Sequence, residues 1–263
     1  MKNIVLVCAH KDFEYKLPDI YKPIVGGACL HKLSNDKGFL KDNVGDNISS
    51  KNPYYSELTA LYWAYKHLDY QNLGLVHYRR YFKGDENAAV NGKKIKVLSN
   101  EQIDRYLSQC DLIVPKKRHY VIETLYSHYC RTLRSEPMYA LEEVIKTKYP
   151  DYLDEFNNLK KRRNAHMFNM LIARKDFLLK YLDFLFDILN SIEDKIDSSS
   201  WNSYEKRYMG SVAELVLDIY LRKNNISYKE IRISELIPFV TFKKGVKYLK
   251  ARIFGKKYLT SDK

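Results

Sequence analysis

The apolar positions of this chain fall into short blocks, and each block is closed by a polar or basic cluster. Residues 2–9 form a run rich in valine and leucine, which predicts a strand, and it stops at Ala9-His10-Lys11-Asp12. Residues 73–76 form another, and it stops at His77-Tyr78-Arg79-Arg80-Tyr81-Phe82. Residues 111–115 form a third, broken by Pro115 and followed by Lys116, Lys117, Arg118 and His119. Residues 164–173 predict a strand entered through His166 and Asn169, and residues 227–233 predict a last one.

Between these runs the period changes to that of a helix. Asn52-Pro53 offers an N-cap and a first-turn proline, and Leu58, Leu61, Tyr62, Tyr65 and Leu68 follow on one face. Ser99 caps a short helix over residues 99–108, and residues 120–160 are helical in tendency. Asp176 opens an amphipathic helix over residues 177–192, and the stretch from Arg207 leads into another through Val212, Leu215, Val216 and Ile219. Residues 18–51 and 83–95, punctuated by glycine and polar residues, read as irregular. A strand, a long excursion, a helix and a strand begin an α/β fold. The whole predicts one domain with a central mixed sheet flanked by helices.

The last residues follow another rule. Phe242, Val246, Leu249 and Ile253 form one helical stripe, with lysines and arginines elsewhere; from Lys243 to Lys263 there are eight basic residues and one acid. That predicts a domain over residues 1–240 and, over residues 241–263, a basic amphipathic helix suited to an anionic membrane surface. The alternative is a helix packing its stripe on the domain.

Composition narrows the function classes. With 263 residues, 45% hydrophobic and 14% aromatic, the chain is globular and can bury a large core. It has no run of 18 apolar residues, and its N-terminus does not read as a signal peptide, so a cytoplasmic protein held peripherally at the inner face of the plasma membrane is expected. Four scattered cysteines without a CxxC pair point to neither zinc nor disulfides. A net charge of +13 raises the question of nucleic acid. Much of the excess lies in the tail, however, and no RNA-recognition fingerprint is present, so no nucleic-acid partner is expected. The phosphate-binding P-loop and the dinucleotide fingerprint are also missing.

The chemistry concentrates at the ends of the strands. Adjacent guanidinium groups are costly to bury without anions, and a strand's C-terminal end is where open α/β sheets bind ligands. Arg79 and Arg80 therefore suit a diphosphate, whose oxygens match the guanidinium fork. The basic group at 116–119 would add to an electropositive pocket; solvated charges are the plainer alternative for both. Asp12 suits a ribose hydroxyl or base, or a turn. Glu57, in the first turns of its helix, suits a sugar hydroxyl or a cap. Glu214, one charge in an apolar stretch, is either paired with a base such as Arg207 or a working group.

Three motifs carry a family resemblance. Asp46-Asn47-Ile48-Ser49, then Lys51-Asn52-Pro53-x-Tyr55-x-Glu57-Leu58-Thr59-x-Leu61-Tyr62-Trp63, then Gly74-Leu75-x-His77-Tyr78-Arg79-Arg80-Tyr81-Phe82, resemble the DUF4422 family of bacterial capsule, exopolysaccharide and O-antigen glycosyltransferases. The segments His166–Met170 and Gly210–Leu215 also look like that family. The resemblance implies a GT-A-like transferase using a UDP-sugar, with UDP-galactofuranose among the candidates. A polyprenyl-diphosphate-linked glycan would be the acceptor. Many GT-A enzymes hold a metal through a DxD motif. None is convincing here and Asp85-Glu86 is the nearest acidic pair, so direct neutralisation by the arginines is expected with no required cofactor, though Mn²⁺ or Mg²⁺ remains an option. The roles expected are Glu214, then Glu57, then Asp12, as general base and His77 beside the leaving group. Asp12, Asp46, Asn47, Arg79 and Arg80 would bind the donor, and His166 and Asn169 the acceptor. A non-catalytic scaffold in a polysaccharide-assembly complex is the rival reading.

Overall fold

The structure, a computed structural model, describes residues 2–236. The basic helix expected from residue 241 lies outside the described residues. The core is a mixed sheet whose path runs Tyr228–Ile231, Leu112–Pro115, Leu171–Arg174, Asn72–His77, Asn3–Ala9, Tyr21–Val25 and Leu40–Lys41. Every neighbouring pair is parallel except those made by Leu171–Arg174, which runs against both of its partners. Because that strand runs backwards, its beginning lies at the sheet edge where its neighbours end.

Strand alternation divides the apolar residues between two cores. Leu6, Leu73, Leu75, Leu112, Val114, Leu171 and Ala173 join the larger one, built with the helices Leu58–His67, Glu136–Lys148, Lys175–Glu193 and Tyr208–Lys223. Val5, Val7, Val76, Ile113 and Ile172 face the other way, towards Phe82, Val97, Leu98, Ile103 and Leu107. Both faces are covered, which is why these strands read as continuous apolar runs. Ser99 makes the expected cap, accepting from the Gln102 N–H in a full capping box over Asn100–Leu107.

The differences from the sequence expectation have local causes. Residues 83–95 are not a loop but two antiparallel strands, Arg80–Val90 and Lys93–Val97, joined at Asn91-Gly92. Both turn residues have positive φ (49° and 72°), which asparagine and glycine tolerate and a two-residue hairpin turn requires. Residues 18–51 contain the strand Tyr21–Val25 and, at the sheet edge, Leu40–Lys41. Asn52 is not an N-cap. It opens a single turn, Asn52–Tyr55, that stops at Ser56 (φ 51°), and its side chain donates to the Ser56 carbonyl and Thr59 Oγ1. The strand expected over 164–173 is two pieces. Asn164–Ala165 pairs with Arg118–His119, Leu171–Arg174 enters the main sheet, and between them the chain makes a tight loop.

Gly74 lies where the central strand meets its antiparallel neighbour. A Cβ there would sit 2.7 Å from Ile172 Cγ1 and 3.1 Å from the Leu171 carbonyl oxygen. Gly74→Ala is therefore expected to destabilise the fold by about 1–3 kcal/mol through overpacking, read as a lowered denaturant midpoint at unchanged slope.

Candidate active site

The strand ends meet at one edge of the sheet. His77 pairs with Arg80, so Tyr78 and Arg79 form a two-residue turn and the motif after the central strand is the tip of a hairpin. His10 follows the first strand and stands edge-on to the Tyr78 ring, centroids 5.5 Å apart. The helix Tyr208–Lys223 enters from above and presents Gly210, Ser211, Glu214 and Leu215, and Ser56–Glu57 closes one side. These elements surround a cavity of about 790 Å³.

A strained dipeptide holds its centre. Phe168 and Asn169 have φ of 79° and 51°, a backbone region that costs side-chain-bearing residues on the order of 1–3 kcal/mol and persists only where surroundings enforce it. The Phe168 N–H donates to Glu214 Oε1 at 2.8 Å. The Phe168 carbonyl meets His77 Nε2 at 2.7 Å, and a carbonyl only accepts, so that nitrogen carries the proton. Asn169 Nδ2 donates to Glu57 Oε1 at 2.7 Å and to the Gly210 carbonyl at 2.9 Å. Two adjacent residues thus tether both candidate carboxylates and the histidine.

The electrostatics follow from this crowding. Burial first, then the Glu57 charge, push the Glu214 carboxyl up to about 7; the Phe168 N–H, Arg118 and Arg80 oppose the rise. Burial lowers the His77 imidazole despite the Glu57 charge and the Phe168 bond, so His77 is a neutral donor that orients a backbone carbonyl. Burial, with Arg207 and Arg79 next, takes His10 down to about 4. A carboxyl poised near neutrality can take or give a proton at physiological pH.

The structure brings Glu57, Glu214, His77, Arg79, Arg80 and Asn169 to the cavity lining. Arg79 lies over its neighbour Tyr78, 5.1 Å from the ring centroid. Arg80 is engaged, with Nε donating to Glu235 Oε1 at 3.2 Å and the guanidinium 4.5 Å from the Phe168 ring centroid. The pairing of Ile233–Glu235 with the long hairpin strand, far along the sequence, brings that carboxylate in. Arg207 does not pair with Glu214; its Nε donates to Ser56 Oγ at 3.2 Å.

Four expected residues do not line the cavity. Asp12 accepts from the Ser34 and Asn35 N–H groups and fixes a loop. Asp46 pairs with Lys66, and Asn47 closes a turn between the Gly45 carbonyl and the Ser49 N–H. His166 is buried behind the site, with Nδ1 at 2.9 Å from Asp218 and Nε2 at 3.0 Å from Glu230. It anchors the loop that carries Phe168 and Asn169.

Cavity-lining residues not selected from the sequence include His10, His31, Ser56 and Tyr204. For His10 a signal existed, since it is the first polar residue past the first strand. Glu57 and Glu214 are the lining's carboxylates, Asp85-Glu86 lies elsewhere, and among the described residues no group of three or more His, Cys, Asp or Glu side chains converges as metal ligands.

Glu214 makes a pH prediction. Its folded pKa lies above the ordinary 4.5 of a free glutamate, so between about 4.5 and 7 the native state holds the extra proton and its stability falls as pH rises. Glu214→Gln keeps an oxygen for the Phe168 N–H and removes the charge. The variant is expected to flatten that slope and to be more stable than wild type at pH 8 by about 2 kcal/mol, measured by urea unfolding across pH.

Comparison with known proteins bears on the fold and the family. A structure titled WbbM bifunctional glycosyltransferase, in its apo form, superposes with a TM-score of 0.79 at 27% identity over 90% of this chain. The match spans 46% of that longer protein, so the chain corresponds to about half of it. A search of curated proteins returns no match. The model of the family described as "Domain of unknown function (DUF4422)" matches residues 4–225 of the 263, and with that coverage the chain belongs to the DUF4422 family.

Proposed function

We propose that the protein is a glycosyltransferase of GT-A-like architecture that moves a sugar from a nucleoside-diphosphate donor to a hydroxyl acceptor. The observation that carries the reading is the pairing of Glu57 and Glu214 through Phe168-Asn169, opposite Arg79 and Arg80, in a cavity of about 790 Å³. That volume is in the range of small-molecule sites. The similarity to a protein titled as a glycosyltransferase supports it, as does a main sheet path whose strands are parallel but for Leu171–Arg174, with the cavity at the strand ends.

In this reading the bond between the anomeric carbon and the diphosphate oxygen breaks, and its electron pair leaves with the nucleoside diphosphate. Arg79 meets the developing charge, with Arg80, already held by Glu235, lending field from behind. The acceptor hydroxyl bonds to the anomeric carbon and gives its proton to Glu214. Glu57, fixed by Asn169, holds a sugar hydroxyl. His77 keeps the Phe168 carbonyl in place so that the Phe168 N–H stays on Glu214. A divalent ion bound through one or two carboxylates and the donor's phosphates would draw on Glu57 and Glu214. UDP-sugars, UDP-galactofuranose among them, are the donors to try first, and a polyprenyl-diphosphate-linked glycan at the inner membrane face is the acceptor class. Among the described residues no helix is long and apolar enough to cross a membrane.

Calorimetric titration with UDP, in EDTA and again with Mn²⁺, tests the reading. Binding in EDTA, weakened about 10- to 100-fold by Arg79→Ala, is expected, since a hydrogen-bonded charge contributes about 1.5–3 kcal/mol. Glu214→Gln is expected to leave UDP binding intact and to lower kcat in sugar transfer by about 10²–10⁴-fold, the usual share of a general base. No binding of UDP or any other nucleoside diphosphate would favour a non-catalytic scaffold.

A further inference from the structure

Two basic runs far apart in the sequence become neighbours beside the cavity. Lys116-Lys117-Arg118-His119 and Lys160-Lys161-Arg162-Arg163 are set together by the antiparallel pairing of Arg118 with Ala165 and of His119 with Asn164. The following loop is laced to the second run. The Tyr120 N–H donates to the Arg163 carbonyl and the Leu125 N–H to the Arg162 carbonyl, each at 2.7 Å. The Arg163 guanidinium donates to the Val121 carbonyl at 3.0 Å. At the tip of this braced loop, Val121 is 83% exposed and Ile122 40%.

Part of the charge is answered from inside the domain, because Lys117 pairs with Glu230, Lys160 with Glu142 and Arg162 with Asp218. Lys116, Lys161 and Arg163 are exposed and have no carboxylate partner among the described residues. Single exposed apolar residues are ordinary. Here two adjacent ones project from a rigid loop inside a cluster of cations, a combination that suits the boundary between lipid headgroups and acyl chains. A single-stranded nucleic acid would want free rings to stack on, but Tyr120 packs against His128 with centroids 4.4 Å apart, and the Tyr228 ring lies against Lys117 Nζ, 5.3 Å from its centroid.

We propose that this rim is a docking surface for an anionic lipid bilayer. Val121 and Ile122 enter the headgroup boundary while Lys116, Lys161 and Arg163 lie at the lipid phosphates. Arg118, Tyr120 and Leu125 line the cavity, so docking here turns its mouth towards the membrane. The surface is independent of the C-terminal basic stripe and of the glycosyltransferase reading; if that reading holds, a lipid-linked acceptor reaches the site directly from the bilayer.

A tryptophan at the tip of the full-length chain tests this. Trp63 and Trp201 are buried and give a constant background, so Val121→Trp reports its own surroundings. Val44→Trp, also exposed and just past the strand at the opposite sheet edge, is the control. With vesicles of phosphatidylcholine and phosphatidylglycerol, the tryptophan at 121 is expected to shift to the blue and to be quenched by brominated acyl chains, and the one at 44 to do neither. Pure phosphatidylcholine should give no response. Adding Lys116→Glu, Lys161→Glu and Arg163→Glu should weaken partitioning by at least about 100-fold, from roughly fivefold per lost cation. Vesicle binding that leaves the tryptophan at 121 unquenched would assign the membrane to another part of the chain and overturn the proposal. So would equal quenching at both positions, no vesicle binding, no effect of the charge reversals, or retention of RNA instead of vesicles. UDP titration of the same variants separates this outcome from the fate of the catalytic reading.

Discussion

The candidate site depends on two backbone units held in a conformation they would not choose. Phe168 and Asn169 sit in the left-handed region without being glycine, and such strain survives only where several contacts oppose its release. Here those contacts are the site itself: the Phe168 N–H on Glu214, the Phe168 carbonyl on His77, and the Asn169 amide between Glu57 and the Gly210 carbonyl. Behind them, His166 donates its N–H to Asp218 and holds its ring between Asp218 and Glu230, pinning the start of the loop to a helix and to the edge strand. The loop would relax if either end let go, and the carboxylates would lose their spacing with it.

That arrangement also explains the charge state. Burial first and the nearby Glu57 charge second raise the Glu214 carboxyl. Arg80 and Arg118 moderate the shift, and Glu235 in turn takes up Arg80. Arg79 and Arg207, on either side of a neutral His10, then form the positive side. In the proposed reading the carboxylate on the helix Tyr208–Lys223 handles the proton and the hairpin turn faces the anion.

The adjoining rim extends the same economy. The antiparallel run of Leu171–Arg174 forces the chain to reverse at the sheet edge, and that reversal pairs Asn164–Ala165 with Arg118–His119. One topological feature therefore places the strained dipeptide and gathers the two basic runs.

Much of the fold was legible in the amino-acid sequence. Apolar runs two faces deep predicted the strands, the cap at Ser99 and the long helix after Asp176 followed local rules, Glu57, His77 and Arg79 stood out as polar groups near element ends, and Glu214 as one charge in an apolar stretch. These signals are short-range, so a linear reading finds them. The Asn91-Gly92 hairpin was readable too, from the turn pair between two runs, but the polar residues of its strands concealed it. Other assignments depended on contacts across the whole chain. Whether His166 faces ligand or core was decided by Asp218 and Glu230, and Arg80 was claimed by Glu235 from the other end of the domain. Asp46 and Asn47 were drawn into a surface turn and an ion pair with Lys66. The sequence alone determined which residues could do chemistry and where strands and helices would form, because propensity and periodicity act locally. Which of those residues share a cavity, and which merely support it, only the tertiary structure decided, because burial and partnership are set by residues far away along the chain.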